Sequence, residues 1–224
     1  MPRTARSVEA GTIYHVLNRG NGRLRLFRKP ADFAAFEKVM GEGLERYPVD
    51  LLTYCLMNNH WHLVVRPRTD AALGALMGWM GVTHVRRHHQ QYRLVGGGHL
   101  YQGRFKSFPV QMDLHLLMLC RYVEANAKRA NCVDRAELWE WGGSFARRRG
   151  RKPFTLCDWP VDRPSNWTAL VNRDLEKADL DRLRLSVKRG RPFGDRAWIL
   201  RTARRLGLES TLRDRGRPKS AKNE

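Results

Sequence analysis

The stretch VDLLTYCLMNNHWHLVVRP, residues 49–67, constrains the fold more than any other part of the chain. Two apolar runs rich in strand-forming residues are separated only by Asn58-Asn59. A two-residue, Asn-rich connection between such runs reads as a β-hairpin. The chain must therefore build a sheet around this hairpin. The second arm then raises a chemical question. His60 and His62 occupy alternate positions on a strand whose continuation, Leu63, Val64 and Val65, looks like core. Residues i and i+2 of a strand share a face, so the two imidazoles project together and Trp61 points the other way. Two neutral imidazoles side by side are half of a metal site.

The elements around the hairpin follow from periodicity. GTIYHVLNRG (11–20) reads as a strand running into an Asn-Arg-Gly-Asn-Gly turn. Residues 31–47 carry Phe33, Phe36, Val39, Met40 and Leu44 at helical spacing. Residues 71–92 read as a second helix, and FKSFPVQM (105–112) as a fourth strand, placed at an edge or bulge by Pro109. Residues 113–130 read as one strong helix capped by Asp113. The order β-α-β-β-α-β plus a helix is the ferredoxin-like split βαβ pattern, an α+β antiparallel sheet with the first and third strands in the middle. The two histidines would then stand on a central, rigid strand.

The chain has 224 residues and a hydrophobic fraction of 42%, enough for a core. No apolar run approaches the roughly 18 to 20 residues of a membrane span. The N-terminus lacks the apolar segment of a signal peptide, so a cytoplasmic location is expected. The four cysteines, Cys55, Cys120, Cys132 and Cys157, form no C-x-x-C pair. They suit free thiols in a reducing compartment rather than a structural zinc module. The net charge of +20 points to a polyanion, most simply nucleic acid. Residues 144–224 hold 22 basic against 10 acidic side chains. They are expected to form a basic, mostly helical appendage, with helices near 166–187 and 195–206, beyond a domain spanning 1–143.

Partners for the histidines come from the helix at 113–130. Its apolar stripe is Leu116, Leu119, Cys120, Val123 and Ala127, which should face the sheet. Tyr122 and Asn126, spaced i and i+4, stack on the flank of that stripe, while Glu124 and Lys128 are expected to face solvent. Packed on the histidine-bearing face, such a helix would offer a phenol from Tyr122 and a neutral carbonyl oxygen from Asn126.

These segments resemble a known family. GTIYHVLNRGNGRLRLF, CLMNNHWHLVVRP, LYQGRFKSFPVQ and CRYVEANAKRA are similar, in that order, to the successive signatures of the HUH single-tyrosine transposases, where U is a hydrophobic residue. The chain looks most like their REP-associated branch. The resemblance implies His60 and His62 as metal ligands, Trp61 as the U position, Tyr122 as catalytic nucleophile and Asn126 as third ligand. It implies cleavage of single-stranded DNA near hairpin-forming repeats, through a 5′-phosphotyrosine link and a free 3′-hydroxyl, with Mg²⁺ or Mn²⁺ as cofactor. It implies no small-molecule substrate and no membrane, and a monomer or weak dimer. Two departures stand out. Asn126-Ala127 replaces the family's frequent Asn-Pro, which would let the helix run on. Trp141-Gly142-Gly143-Ser144 stands where relatives carry Trp-Ser-Ser.

Candidate DNA contacts are Arg19, Arg23, Arg86, Arg87, Arg104, Lys106 and Arg129 in the first domain. Arg189, Arg191, Arg215 and Arg217 in the tail join them. Arg189-Gly190-Arg191-Pro192 and Arg215-Gly216-Arg217-Pro218 repeat one core; as extended segments they would fit a narrow minor groove, the alternative being an unstructured basic tail that adds only non-specific affinity. His84, His88 and His89 on the second helix suggest a zinc site at i, i+4 spacing, but a DNA-facing helix is the preferred reading. Two alternatives to the enzyme remain. One is a sheet that binds RNA through exposed aromatics. The other is a former transposase that only binds and represses.

Overall fold

The computed structural model describes residues 8–150 and 152–213. The strands are β1 (Ile13–Arg19), β2 (Val49–Met57), β3 (His60–Pro67) and β4 (Lys106–Val110). The helices are α1 (Pro30–Arg46), α2 (Ala72–Tyr92), α3 (Leu114–Glu124), α4 (Asn126–Arg129), α5 (Gly143–Arg149), α6 (Trp167–Asn172), α7 (Lys177–Arg189) and α8 (Arg196–Arg205). The sheet order is β2-β3-β1-β4, every pair antiparallel, so β1 and β3 are central as the element order requires. Pro109 lies in edge strand β4, where its missing N–H breaks no ladder bond.

Strand alternation sorts the core into two layers. Tyr14, Val16, Tyr54, Leu56, Trp61, Leu63 and Val65 pack with Phe33, Phe36 and Met40 of α1 and Leu73, Leu76 and Met80 of α2. On the opposite face Ile13, Cys55, Met57, Val64, Phe108 and Val110 pack with Leu116, Leu119, Cys120, Val123 and Ala127. The stripe expected on the helix at 113–130 is thus the buried one, and Asp113 caps it by accepting from the His115 N–H at 2.8 Å. Both sheet faces are covered by helices. An RNA-binding sheet needs exposed aromatics on an open face, and among the described residues none is available.

The C-terminal third is not peripheral in its packing. Trp167, Val171, Leu183 and Phe193 belong to the second core layer. Both sheet edges are also occupied from this end of the chain. Gly142 bridges to Cys55 and the Trp141 carbonyl accepts from Leu56 N–H at 2.9 Å, which covers β2. Phe193 pairs alongside Val110, donating to the Pro109 carbonyl and accepting from Gln111, each at 2.9 Å, which covers β4. Uncovered edges invite pairing with other chains, and here the same molecule caps them.

Three expectations are corrected. The helix at 113–130 is interrupted at Ala125, whose ψ of 3° opens the turn between α3 and α4. The helix expected near 166–187 is two, α6 and α7. Arg189-Gly190-Arg191-Pro192 is no extended segment. Gly190 is the left-handed cap of α7 at φ 70°, the conformation glycine favours, and Pro192 is buried. The second copy of the repeat, with Arg215 and Arg217, lies outside the described residues.

Candidate active site

β3 brings His60 and His62 to the face covered by α3 and α4, with ring centroids 5.0 Å apart and planes at 85°. Opposite them on β1 stand Arg19 and Leu17. Trp61 points into the other layer, where its indole N–H donates to the Tyr101 hydroxyl at 3.1 Å. Despite the interruption at Ala125, Tyr122 and Asn126 both reach the histidines. The Tyr122 ring meets the His62 ring edge-on at 6.1 Å and 89°. Asn126 Nδ2 lies 3.3 Å from His60 Nε2. The four side chains singled out by spacing therefore converge.

The hydrogen bonds fix the protons of half the site. Arg129 donates from Nη2 to Asn126 Oδ1 at 3.0 Å. A guanidinium has no acceptor, so that amide atom must be oxygen. Asn126 then presents its NH₂ to His60, whose Nε2 must accept. The proton of His60 consequently sits on Nδ1, which donates to Asn59 Oδ1 at 2.7 Å. This is the tautomer with its lone pair facing the site. Burial, with smaller contributions from Arg19 and Arg129, pushes the His60 pKa down to about 4. Burial, then His15 and His60, holds His62 well below the usual histidine range. Both imidazoles are neutral at pH 7. Among the described residues no three His, Cys, Asp or Glu side chains converge on one point. The amide nearest the two histidines is that of Asn126, which turns its NH₂ toward His60.

Arg129 ties the nucleophile candidate to the same site. Its guanidinium stacks 4.2 Å from the Tyr122 ring centroid and donates to the Tyr122 carbonyl at 2.7 Å. Tyr122 is half-buried, and among the described residues no group is hydrogen-bonded to its hydroxyl.

Glu124 does not face solvent. It is 2% exposed and accepts from Thr53 Oγ1 at 2.7 Å, Ser144 Oγ at 2.5 Å and Trp167 Nε1 at 2.9 Å. The period of the helix puts it beside Cys120, and the chain supplies donors there from three other elements. This also accounts for the departure at 142–144. A Cβ on Gly143 would collide with Thr53 Oγ1 and crowd the Tyr54 backbone, so glycine there lets the start of α5 approach β2.

With this geometry in hand, the match of residues 9–126 to the family described as IS200-like transposase is decisive, since it covers more than half of the chain. The chain belongs to the IS200-like transposases. The matched span runs from β1 to Asn126 and contains His60, His62, Tyr122 and Asn126. No curated protein matches the chain. Among solved structures it is similar to a REP-associated tyrosine transposase bound to a REP hairpin, with 17% identity, a TM-score of 0.48, and coverage of 72% of this chain and 93% of that one. Among the described residues no helix is long and apolar enough to cross a membrane.

In this IS200-like transposase the basic candidates separate by position. Arg19, Arg104 and Lys106 line a cleft of about 540 Å³ that α7 closes with Arg184 and Lys188, and no carboxylate lines it. Leu17 and Arg19, which line this cleft, pair with His62 and His60 on the neighbouring strand, so the cleft lies beside the histidines. Arg23 is exposed on the turn after β1. Arg86 borders a second cleft of about 810 Å³ along α2, on the other side of the sheet. Arg87 is paired with Glu42 at 2.7 Å, which leaves it less free for phosphate. Arg189 is half-buried at the end of α7 and bonds the Arg213 carbonyl. Arg191 is likewise half-buried. His84 and His88 are buried, His84 bonding the Tyr101 hydroxyl at 2.6 Å, and both line a small cavity of about 190 Å³ between α1 and α2 rather than an outer, DNA-facing surface.

Sequence reasoning missed Arg184, Lys188 and His15. The first two were dissolved in a uniformly basic tail, although i, i+4 spacing on a helix marks them as one face. His15 is fully buried on β1, with Nε2 2.8 Å from His62 Nδ1.

Proposed function

We propose that this IS200-like transposase is a single-strand DNA endonuclease and strand-transferase of the REP-associated kind, cutting beside hairpin-forming repeats. The observation that carries the reading is the convergence of two neutral imidazoles, one amide and one tyrosine beside the strand residues Leu17 and Arg19 of a cleft lined by five cations.

Tyr122 is the nucleophile. Its oxygen forms a bond to the phosphorus of a phosphodiester, and the bond from phosphorus to the 3′ oxygen breaks. The products are a 5′-phosphotyrosine and a free 3′-hydroxyl, which takes up a proton. The phosphoester energy is retained, so a 3′-hydroxyl attacks in reverse and joins strands without ATP. Arg129, held against the ring, keeps Tyr122 beside the histidines and sets a positive charge near the oxygen as it attacks. His60, His62 and Asn126 would hold the divalent cation, Mg²⁺ or Mn²⁺. When bound it would neutralise charge building on the non-bridging phosphate oxygens. A donor set of two nitrogens and one oxygen suits Mn²⁺ at least as well as Mg²⁺. Arg19, Arg104, Lys106, Arg184 and Lys188 attract the flanking single strand through its phosphates.

The test is incubation with end-labelled hairpin DNA carrying a single-stranded flank, with Mg²⁺ or Mn²⁺, read on a denaturing gel. A labelled species at protein-plus-DNA mass is expected with either metal and not in EDTA. Binding without any adduct or cleavage under all metal conditions would leave a DNA-binding protein and remove the enzyme.

A further inference from the structure

His60 and His62 each have Nδ1 held by a neighbouring side chain. For His60 the holder is the Asn59 oxygen. For His62 it is a third imidazole, His15, on the adjacent central strand. We propose that His15 is a positioning residue for the metal site: it fixes the His62 ring and accepts a hydrogen bond from His62 Nδ1–H, leaving Nε2 as the ligating nitrogen. The proposal rests on the ligand reading above and extends it to a residue outside the ligand set.

Several observations support it. The two rings are parallel within 8°, with centroids 5.0 Å apart and a nitrogen–nitrogen distance of 2.8 Å, the geometry of one direct hydrogen bond. His15 cannot swing aside. It is 0% exposed, sits in the middle of the sheet, and packs edge-on against Phe108 at 4.9 Å. Its other nitrogen, Nδ1, is buried with no hydrogen-bond partner among the described residues. A core position that strands a polar atom is better filled by an apolar side chain. The single polar commitment of His15 is to His62, and this is what the residue contributes.

Proton accounting makes the role specific. Both rings are neutral, so the pair shares two N–H protons. In one arrangement His15 Nε2–H donates, and His62 carries its own proton on Nε2, where it blocks a ligand. In the other, His62 Nδ1–H donates, His62 Nε2 is a bare lone pair, and the His15 proton sits on Nδ1. Only the second arrangement ligates. Moving between them changes no net charge. Ligating histidines generally rely on such an outer partner, and losing one typically weakens metal binding 10- to 100-fold.

The experiment uses the full chain, ¹⁵N-labelled at histidine, as wild type, His15→Phe and His15→Gln. Phe keeps a flat ring without an acceptor, whereas Gln places an oxygen near the position of Nε2. Long-range ¹H–¹⁵N spectra with Mg²⁺ are expected to show His62 protonated on Nδ1 in the wild type. Mn²⁺ binding, read by electron paramagnetic resonance, should weaken about 10- to 100-fold in His15→Phe and return to within a few-fold of wild type in His15→Gln. Wild-type-like Mn²⁺ binding by His15→Phe would overturn the proposal. So would equal losses in the two variants, or a Mg²⁺-loaded His62 protonated on Nε2. If His15→Phe does not fold, His15→Gln and the wild-type spectra still decide. Absence of any His60 or His62 response to metal in the wild type would remove the metal site itself, and the role of His15 with it. A wild-type response that persists in His15→Phe would remove His15 alone.

Discussion

Arg129 and Asn126 share one hydrogen bond of 3.0 Å, and it occupies the very oxygen that the proposed ligand set requires. The Asn126 amide faces His60 with its NH₂ because Arg129 holds the other end. For Asn126 to ligate, its amide must turn and release Arg129.

This relationship gives effects of opposite sign. Arg129→Met removes a competitor for the Asn126 oxygen and a positive charge near the cation. Mn²⁺ affinity is expected to rise several-fold. Cleavage should nevertheless fall, by about 10-fold or more, because Tyr122 loses the group stacked on its ring. Titration of Mn²⁺ binding alongside single-turnover cleavage separates the two. Parallel loss of both would show that Arg129 only supports the fold.

Buried neutral histidines make stability depend on pH. Burial lowers His15 to about 3, His60 to about 4 and His84 to about 3. The unfolded chain takes up these protons near pH 6.5 and the folded chain does not. Their contribution is therefore complete above about pH 6.5 and shrinks as pH falls from there toward the folded values. Between pH 7 and pH 5 each group accounts for at most about 2 kcal/mol. Urea midpoints measured across this range should fall steadily. A flat profile would mean that these rings charge freely inside the fold.

The Glu124 node should govern stability more than chemistry. Glu124→Leu leaves the Thr53, Ser144 and Trp167 donors without their acceptor, a loss of about 3 kcal/mol or more. Gly143→Ala forces a methyl against Thr53 and the β2 backbone and should cost about 2 to 4 kcal/mol. Thermal melts of both variants check this. An unchanged melt for Gly143→Ala would mean the segment 142–144 is not seated on β2.

The hairpin, the element order and the buried stripe of α3 could be read in the sequence because each rests on local periodicity. The same is true of His60, His62, Tyr122 and Asn126, two pairs set by spacings of two and four. What escaped depends on contacts distant in sequence. His15 meets His62 across 47 positions, and a lone histidine in a strand pattern carries no mark of its partner. Glu124 looked solvent-facing because its donors come from Thr53, Ser144 and Trp167, on separate elements. The Ala125 interruption was hidden by alanine's good helix propensity, which tertiary packing overrides. The covering of the sheet edges rests on Gly142 and Phe193 individually, with no pattern around either.

The cationic cleft yields a separate test. Arg184→Glu with Lys188→Glu should weaken binding of single-stranded flanks at least 10-fold and reduce the slope of log affinity against log salt by about 1 to 2. Arg87→Ala, already paired with Glu42, should change binding by less than a factor of about three. The comparison is made by fluorescence anisotropy at several salt concentrations. Equal effects of the two changes would place the strand elsewhere.

The most direct measurement of the central claim is peptide mapping of the covalent species formed with hairpin DNA and Mn²⁺. After nuclease and protease digestion, tandem mass spectrometry should find a nucleotide linked through its 5′-phosphate to the peptide containing Tyr122, with none in Tyr122→Phe. A nucleotide attached to any other residue, or an adduct that persists in Tyr122→Phe, would contradict the assignment of Tyr122 as nucleophile.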